Sequence, residues 1–126
     1  MPEQKFFKCN HCGTLVGMLN DGGVKIVCCG EPMVELKANT TDAAKEKHVP
    51  VAVKTGDLIK VSVGSVAHPM QEEHFIEWIY VQTTKGGQRK ILRPGAEPAA
   101  AFVLTDDEAI AVYAYCNLHG LWKITL

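Results

Sequence analysis

From residue 49 onward the apolar residues fall into seven short runs, at 49–54, 58–63, 74–83, 88–92, 100–104, 109–115 and 121–126. Turn formers separate them: Thr55-Gly56-Asp57, His68-Pro69, Lys85-Gly86-Gly87, Pro94-Gly95 and Thr105-Asp106-Asp107. The run at 58–63, Leu-Ile-Lys-Val-Ser-Val, alternates with the period of two expected of a strand with one buried face. No helical period runs through this half of the chain. The pattern predicts a mainly β protein whose larger part is an immunoglobulin-like antiparallel β-sandwich. The cysteine and tryptophan placement of an antibody domain is absent, so the expectation concerns architecture only.

The first thirty-six residues are patterned differently. Short strand-like pieces at 14–16 and 24–27 flank Asp21-Gly22, which predicts a hairpin turning there. A unit below about 40 residues rarely buries enough apolar surface to fold unaided and usually needs a metal, disulfides or a partner chain. A polar stretch at 37–47 reads as a linker, with one helical turn over 42–47 that starts after Thr41 and ends before Pro50. The expected division is therefore 1–36 and 37–126.

Charge excludes some partners. Thirteen basic residues stand against 14 acidic ones, for a net charge of −1, and no basic cluster marks a nucleic-acid or anionic-membrane surface. Residues 1–5 lack the start of a signal peptide, and no run approaches the roughly 18 apolar residues of a membrane span. A soluble, cytoplasmic protein is expected.

Four of the five cysteines crowd into the amino-terminal part, as Cys9-x2-Cys12 and Cys28-Cys29. In a reducing compartment such a set means metal more often than disulfide. Neighbouring residues of an extended segment point to opposite sides, so Cys28 and Cys29 can share an ion only through a local twist. Four thiolates suit zinc or iron alike. His11 is expected to face solvent.

The fifth cysteine belongs to Cys116-Asn117-Leu118-His119-Gly120, where a thiolate and an imidazole three positions apart can fold back onto one ion. His68 and His74 lie six apart, which fails for one helix face, so they must meet through a loop. His48 stands two residues before Pro50 and follows Glu46-Lys47. Four imidazoles and one thiolate exceed the four ligands that close a structural zinc site, and iron is the leading candidate for such a set. Lys47, tied to His48, would draw an anion toward an open face of that metal.

Taken together, Cys9-x2-Cys12 with Cys28-Cys29, Glu46-Lys47-His48-x-Pro50, His68-Pro69-Met70-x3-His74-x-Ile76-x-Trp78-Ile79 and Cys116-Asn117-x-His119-Gly120 resemble desulfoferrodoxin, the two-iron superoxide reductase family, from Cys9 to the end of the chain. The resemblance implies a desulforedoxin-like amino-terminal domain with ferric iron on Cys9, Cys12, Cys28 and Cys29. It also implies a catalytic ferrous iron held equatorially by His48, His68, His74 and His119, with Cys116 axial. The implied reaction is one-electron reduction of superoxide to hydrogen peroxide. Lys47 would assist protonation through water, Glu46 would fill the vacated ferric position, and rubredoxin or a similar donor would return the electron. A homodimer is implied as well. Two other readings remain open at this point: a non-enzymatic iron electron carrier, and a zinc-stabilised protein-interaction module.

Overall fold

The alternation at 58–63 becomes a strand in which Ile59, Val61 and Val63 are buried while Lys60 and Ser62 are exposed. This is seen in a computed structural model that describes residues 3–126. The chain divides into two compact units, Met1–Lys37 and Ala38–Leu126.

The first unit contains β1 (Lys5–Lys8), β2 (Leu15–Met18), β3 (Val27–Cys28), β4 (Glu31–Pro32) and β5 (Val34–Glu35). β1 is central in a three-stranded antiparallel sheet ordered β2-β1-β5, and β3 pairs with β4. The hairpin expected at Asp21-Gly22 does not form. β2 pairs with β1, and Ile26 is instead held by the Met33 amide, which donates to its carbonyl at 2.7 Å. Asp21 makes a local turn, accepting the Gly23 amide at 2.8 Å and pairing with Lys5. The tight hairpin lies further on, at Cys29-Gly30, where both residues have positive φ (53° and 75°), as a two-residue turn matched to strand twist requires.

The second unit opens with a single helical turn, α1 (Lys45–His48), followed by β6 (Pro50–Thr55), β7 (Leu58–Val63), β8 (Ile76–Thr83), β9 (Gly86–Ile91), β10 (Ala99–Val103), β11 (Ala109–Cys116) and β12 (Gly120–Thr125). The strands form two antiparallel sheets, β10-β7-β6 and β12-β11-β8-β9. Ile59, Val61, Val63 and Phe102 of the first sheet pack with Ile76, Ile79, Val81, Val112 and Ala114 of the second, all almost solvent-free. Truncating Phe102 in such a core to alanine costs about 3–5 kcal/mol.

The helical turn starts later than the sequence suggested. Ala44, not Thr41, precedes it and makes no side-chain cap, and His48 rather than Lys47 ends it. The segment read as a linker is also anchored at its start. Asn39 bonds the edge of β12 through both side-chain atoms, Nδ2 to the Lys123 carbonyl at 3.1 Å and Oδ1 from the Lys123 amide at 2.9 Å.

One irregularity sets the site. Tyr115 faces Trp78, but the next residue, Cys116, faces Ile76, leaving Glu77 as an extra residue on β8. Such a bulge flips the alternation on that strand. Ile76 and Ile79 can then both face the core although their spacing is odd, with fully buried Cys116 on the same side.

Candidate metal centres

Cys9 and Cys12 sit in the turn that leaves β1. The Cys9 amide donates to the Thr14 carbonyl at 2.9 Å, and the Gly13 amide donates to the Cys9 carbonyl at 2.9 Å. Cys28 and Cys29 come from the β3–β4 hairpin, and the left-handed conformation of Cys29 supplies the twist that two adjacent cysteines need to face one point. The four sulfurs lie within 4.8 Å of one another. Cys12 and Cys28 are separated by 3.6 Å, close to the about 3.8 Å edge of a tetrahedron with metal–sulfur bonds of about 2.3 Å. All are free thiols.

The four sulfurs differ chemically. The Thr14 hydroxyl, 3.0 Å from Cys12 Sγ, holds that thiol down to about 6, chiefly by donating to the thiolate. Cys28 is pushed up to about 12, first by its bond with Cys12 and then by that with Cys9. A cation at the centre of the four would stabilise all of them as thiolates. His11 lies outside the cluster, exposed and paired with Glu31 at 2.9 Å.

In the second unit, His48 ends the helical turn, His68 lies in the loop after β7, His74 precedes β8, and Cys116 and His119 bracket the turn from β11 to β12. Ligand atoms of His48, His68, His74 and Cys116 lie within 4.8 Å of one another. His119 joins them through Nδ1, which is 3.1 Å from His48 Nε2 and 3.8 Å from Cys116 Sγ. His48 and His68 are both buried, and their Nε2 atoms approach to 3.1 Å.

The four imidazoles form a ring. Centroid separations around it are 4.6 Å (His48–His68), 4.7 Å (His68–His74), 5.1 Å (His74–His119) and 4.9 Å (His119–His48), with each neighbour turned by 77–87°. The diagonal from His48 to His74 is longer, 6.4 Å. In a tetrahedral set the six separations would be equal; a longer diagonal is the mark of a square. Four nitrogens in a square with a sulfur beside them do not suit the tetrahedral preference of structural zinc, but do suit a metal that accepts five or six ligands.

Local bonds decide which nitrogens are available. His48 Nδ1 donates to the Ala44 carbonyl at 2.7 Å, and His68 Nδ1 to the Pro69 carbonyl at 2.6 Å. Each bond leaves Nε2 as the lone-pair nitrogen. His119 is steered from its backbone, since Trp122 Nε1 donates to its carbonyl at 3.1 Å. The Trp122 ring also lies 4.9 Å from that of His48. Burial, the main cause in each case, lowers His48 and His74 and brings His68 down to about 4, so near neutrality these three imidazoles are uncharged and ready to donate. Burial raises Cys116, against the opposing pull of the Leu118 and His119 amides. His74 Nε2 is buried with no hydrogen-bond partner, an orphan that a metal would satisfy.

Glu46 and Lys47 occupy the exposed face of α1, beside buried His48. The charge of Lys47 lowers His74 and that of Glu46 raises His48, so both are felt at the cluster. The turn is held by the residues after β7. The Val66 amide donates to the Glu46 carbonyl at 2.8 Å, as does Ser65 Oγ at 3.3 Å.

Both units are similar to known proteins. A family profile described as Desulfoferrodoxin matches residues 40–125, and one described as Desulfoferrodoxin, N-terminal domain, matches residues 2–36. The chain belongs to the desulfoferrodoxin family. A curated desulfoferrodoxin from Nitratidesulfovibrio vulgaris is 52% identical over 124 residues, covering 98% of each chain. The crystal structure of the superoxide reductase from Treponema pallidum superposes with a TM-score of 0.83 at 42% identity, covering 98% of this chain and 100% of that one. A superoxide reductase from Giardia intestinalis, described as 1Fe-SOR, aligns with 65% of this chain and 98% of its own, with a TM-score of 0.54 at 33% identity.

Sequence reasoning identified the residues of both clusters but passed over the groups that shape them. Thr14, Ser65 and Trp122 carried no signal in the pattern. Asn117 was visible only as a member of the Cys-Asn-x-His-Gly motif.

Proposed function

We propose that the protein is a superoxide reductase, in which His48, His68, His74, His119 and Cys116 of the second cluster would hold iron. The observation that carries this reading is the square of four imidazoles beside one buried cysteine sulfur. Bound there, iron supplies a one-electron couple able to act on a small anion. The balanced reaction joins one superoxide, one electron and two protons into hydrogen peroxide, with no dioxygen formed.

The chain's own groups have distinct tasks. Lys47, exposed on the helical turn and with its charge felt at His74, attracts superoxide and would help protonate it through water. Glu46, on the same exposed turn, is a carboxylate that would be available to the metal after product has left. Cys116, kept dry by the core, would be the soft donor to that metal. Charge donated from that sulfur would favour release of peroxide over its oxidation.

The amino-terminal unit, 1–36, is read as a desulforedoxin-like domain with a second iron on Cys9, Cys12, Cys28 and Cys29, ahead of a reductase domain at 37–126. Rubredoxin or a similar small carrier would return the electron. The active form is taken to be a homodimer in the cytoplasm.

The test is to reconstitute the protein with ferrous iron and determine iron per chain. The reduced protein is then mixed rapidly with superoxide while peroxide and dioxygen are both followed. A reductase gives one peroxide per superoxide consumed and no dioxygen. Release of dioxygen in equal amount to peroxide would mean dismutation, and no reaction would leave only an electron carrier.

A further inference from the structure

His48 and His68 are each fixed by a carbonyl on the ring nitrogen that faces away from the cluster. His74 is held differently. Its Nε2 is buried with no partner, and what is anchored is its backbone. The residues on either side of it grip one side chain. Asn117 Nδ2 donates to the Glu73 carbonyl at 3.0 Å, and the Phe75 amide donates to Asn117 Oδ1 at 3.0 Å. The Asn117 amide adds a third bond, to the Phe75 carbonyl at 3.2 Å. On its other flank His74 is closed by a small bridge with Gln71, the two amides donating to the opposite carbonyls at 3.0 and 2.9 Å.

Asn117 directly follows Cys116, so the stretch that carries this sulfur also carries the clamp around His74. A carboxamide is the group this requires, since one end must accept and the other donate. Alanine offers neither, and aspartate keeps only the acceptor.

We infer that Asn117 is a positioning residue that sets His74 relative to Cys116 in the second centre, an inference that rests on metal binding there. Asn117 does not act as a ligand. It fixes the loop from which one imidazole reaches the shared point, doing from the backbone what the carbonyls of Ala44 and Pro69 do for the rings of His48 and His68.

The test uses Co²⁺ as the probe in the full-length chain. The absorption bands of cobalt at a nitrogen-rich five-ligand site are separable from those at a tetrahedral thiolate site, and chelator competition gives its affinity. Asn117→Ala should weaken Co²⁺ at the second centre by about 10–100-fold, the usual cost of losing a group that orients a ligand. Its spectrum should move toward that of His74→Ala, while cobalt at the four-cysteine centre is unchanged. In a His74→Ala background the same substitution should change affinity by less than about twofold, because residues acting through one another are not additive. Asn117→Asp covers the case in which the alanine variant does not fold. Its added charge acts in both backgrounds and cancels in the comparison, so its loss should also depend on His74. Equal losses with and without His74, or no loss in either variant, would overturn the assignment. A parent protein that takes up no Co²⁺ at this cluster would instead overturn the metal-site reading, and the inference with it.

Discussion

Gly64 and Glu46 meet backbone to backbone: a Cβ at Gly64 would stand 2.6 Å from the Glu46 carbonyl oxygen and 2.9 Å from that of Val49. Both neighbours are main-chain atoms, so neither can swing aside. Gly64→Ala should therefore displace the turn carrying Glu46, Lys47 and His48, at a cost of about 1–3 kcal/mol, as for overpacking elsewhere. Denaturant unfolding of the metal-free protein reads that loss. Metal analysis should find the second centre depleted and the first one filled.

At the four-cysteine centre, the Thr14 hydroxyl is the largest cause of the low pKa of Cys12. Thr14→Val keeps the shape and removes the donor. In the metal-free protein, alkylation of Cys12 should follow a titration near pH 6, moving upward toward ordinary thiol values in the variant. Mass spectrometry of the labelled peptide across pH checks this; identical profiles would mean that the hydroxyl does not act on the sulfur.

Acid should loosen the metal-free second unit in a defined window. His68 is held down to about 4 in the folded chain from an ordinary value of 6.5, and His48 and His74 are lowered too. Between those limits the unfolded chain binds more protons than the folded one, so stability increases with pH across the window and is lost as pH falls from about 6.5 to about 4. The urea midpoint should be level above pH 7 and drop below it. His68→Phe should flatten much of that slope, whatever it does to the absolute midpoint.

Lys47 is exposed, yet its charge reaches His74. Lys47→Ala should slow the second-order reaction with superoxide by about tenfold at low salt and weaken its ionic-strength dependence, as steering by one nearby cation predicts. Pulse radiolysis at several salt concentrations separates the two effects. A rate and slope equal to the parent's would assign the lysine to the solvated surface alone.

The sandwich was legible because β7 alternates cleanly and the other apolar runs are short. β7 and the start of β11 fall where the pattern puts them, and turn residues mark the breaks. The amino-terminal unit was less so. Asp21-Gly22 is a strong hairpin signal in isolation, but β1 competes for the same edge of β2, and composition does not reveal which pairing wins. For the site, residue types and spacing were enough to group four histidines with Cys116. They could not show that His119 presents Nδ1 while His48 and His68 present Nε2. That choice depends on which carbonyl lies behind each ring, a matter of loop packing rather than of pattern. Gly64 was unreadable for the same reason, since its need arises from a neighbour eighteen residues earlier in the chain.

The two centres differ in how much chain must be in order before a metal can enter. Cys9 to Cys29 is a short loop, and capture of an ion there can nucleate the little sheet around it. The imidazole square instead draws on residues as far apart as His48 and His119, 71 positions, and closes only once both sheets of the sandwich have formed. Loading should consequently run in opposite senses, with an ion helping to build the first unit and a finished scaffold awaiting its ion in the second.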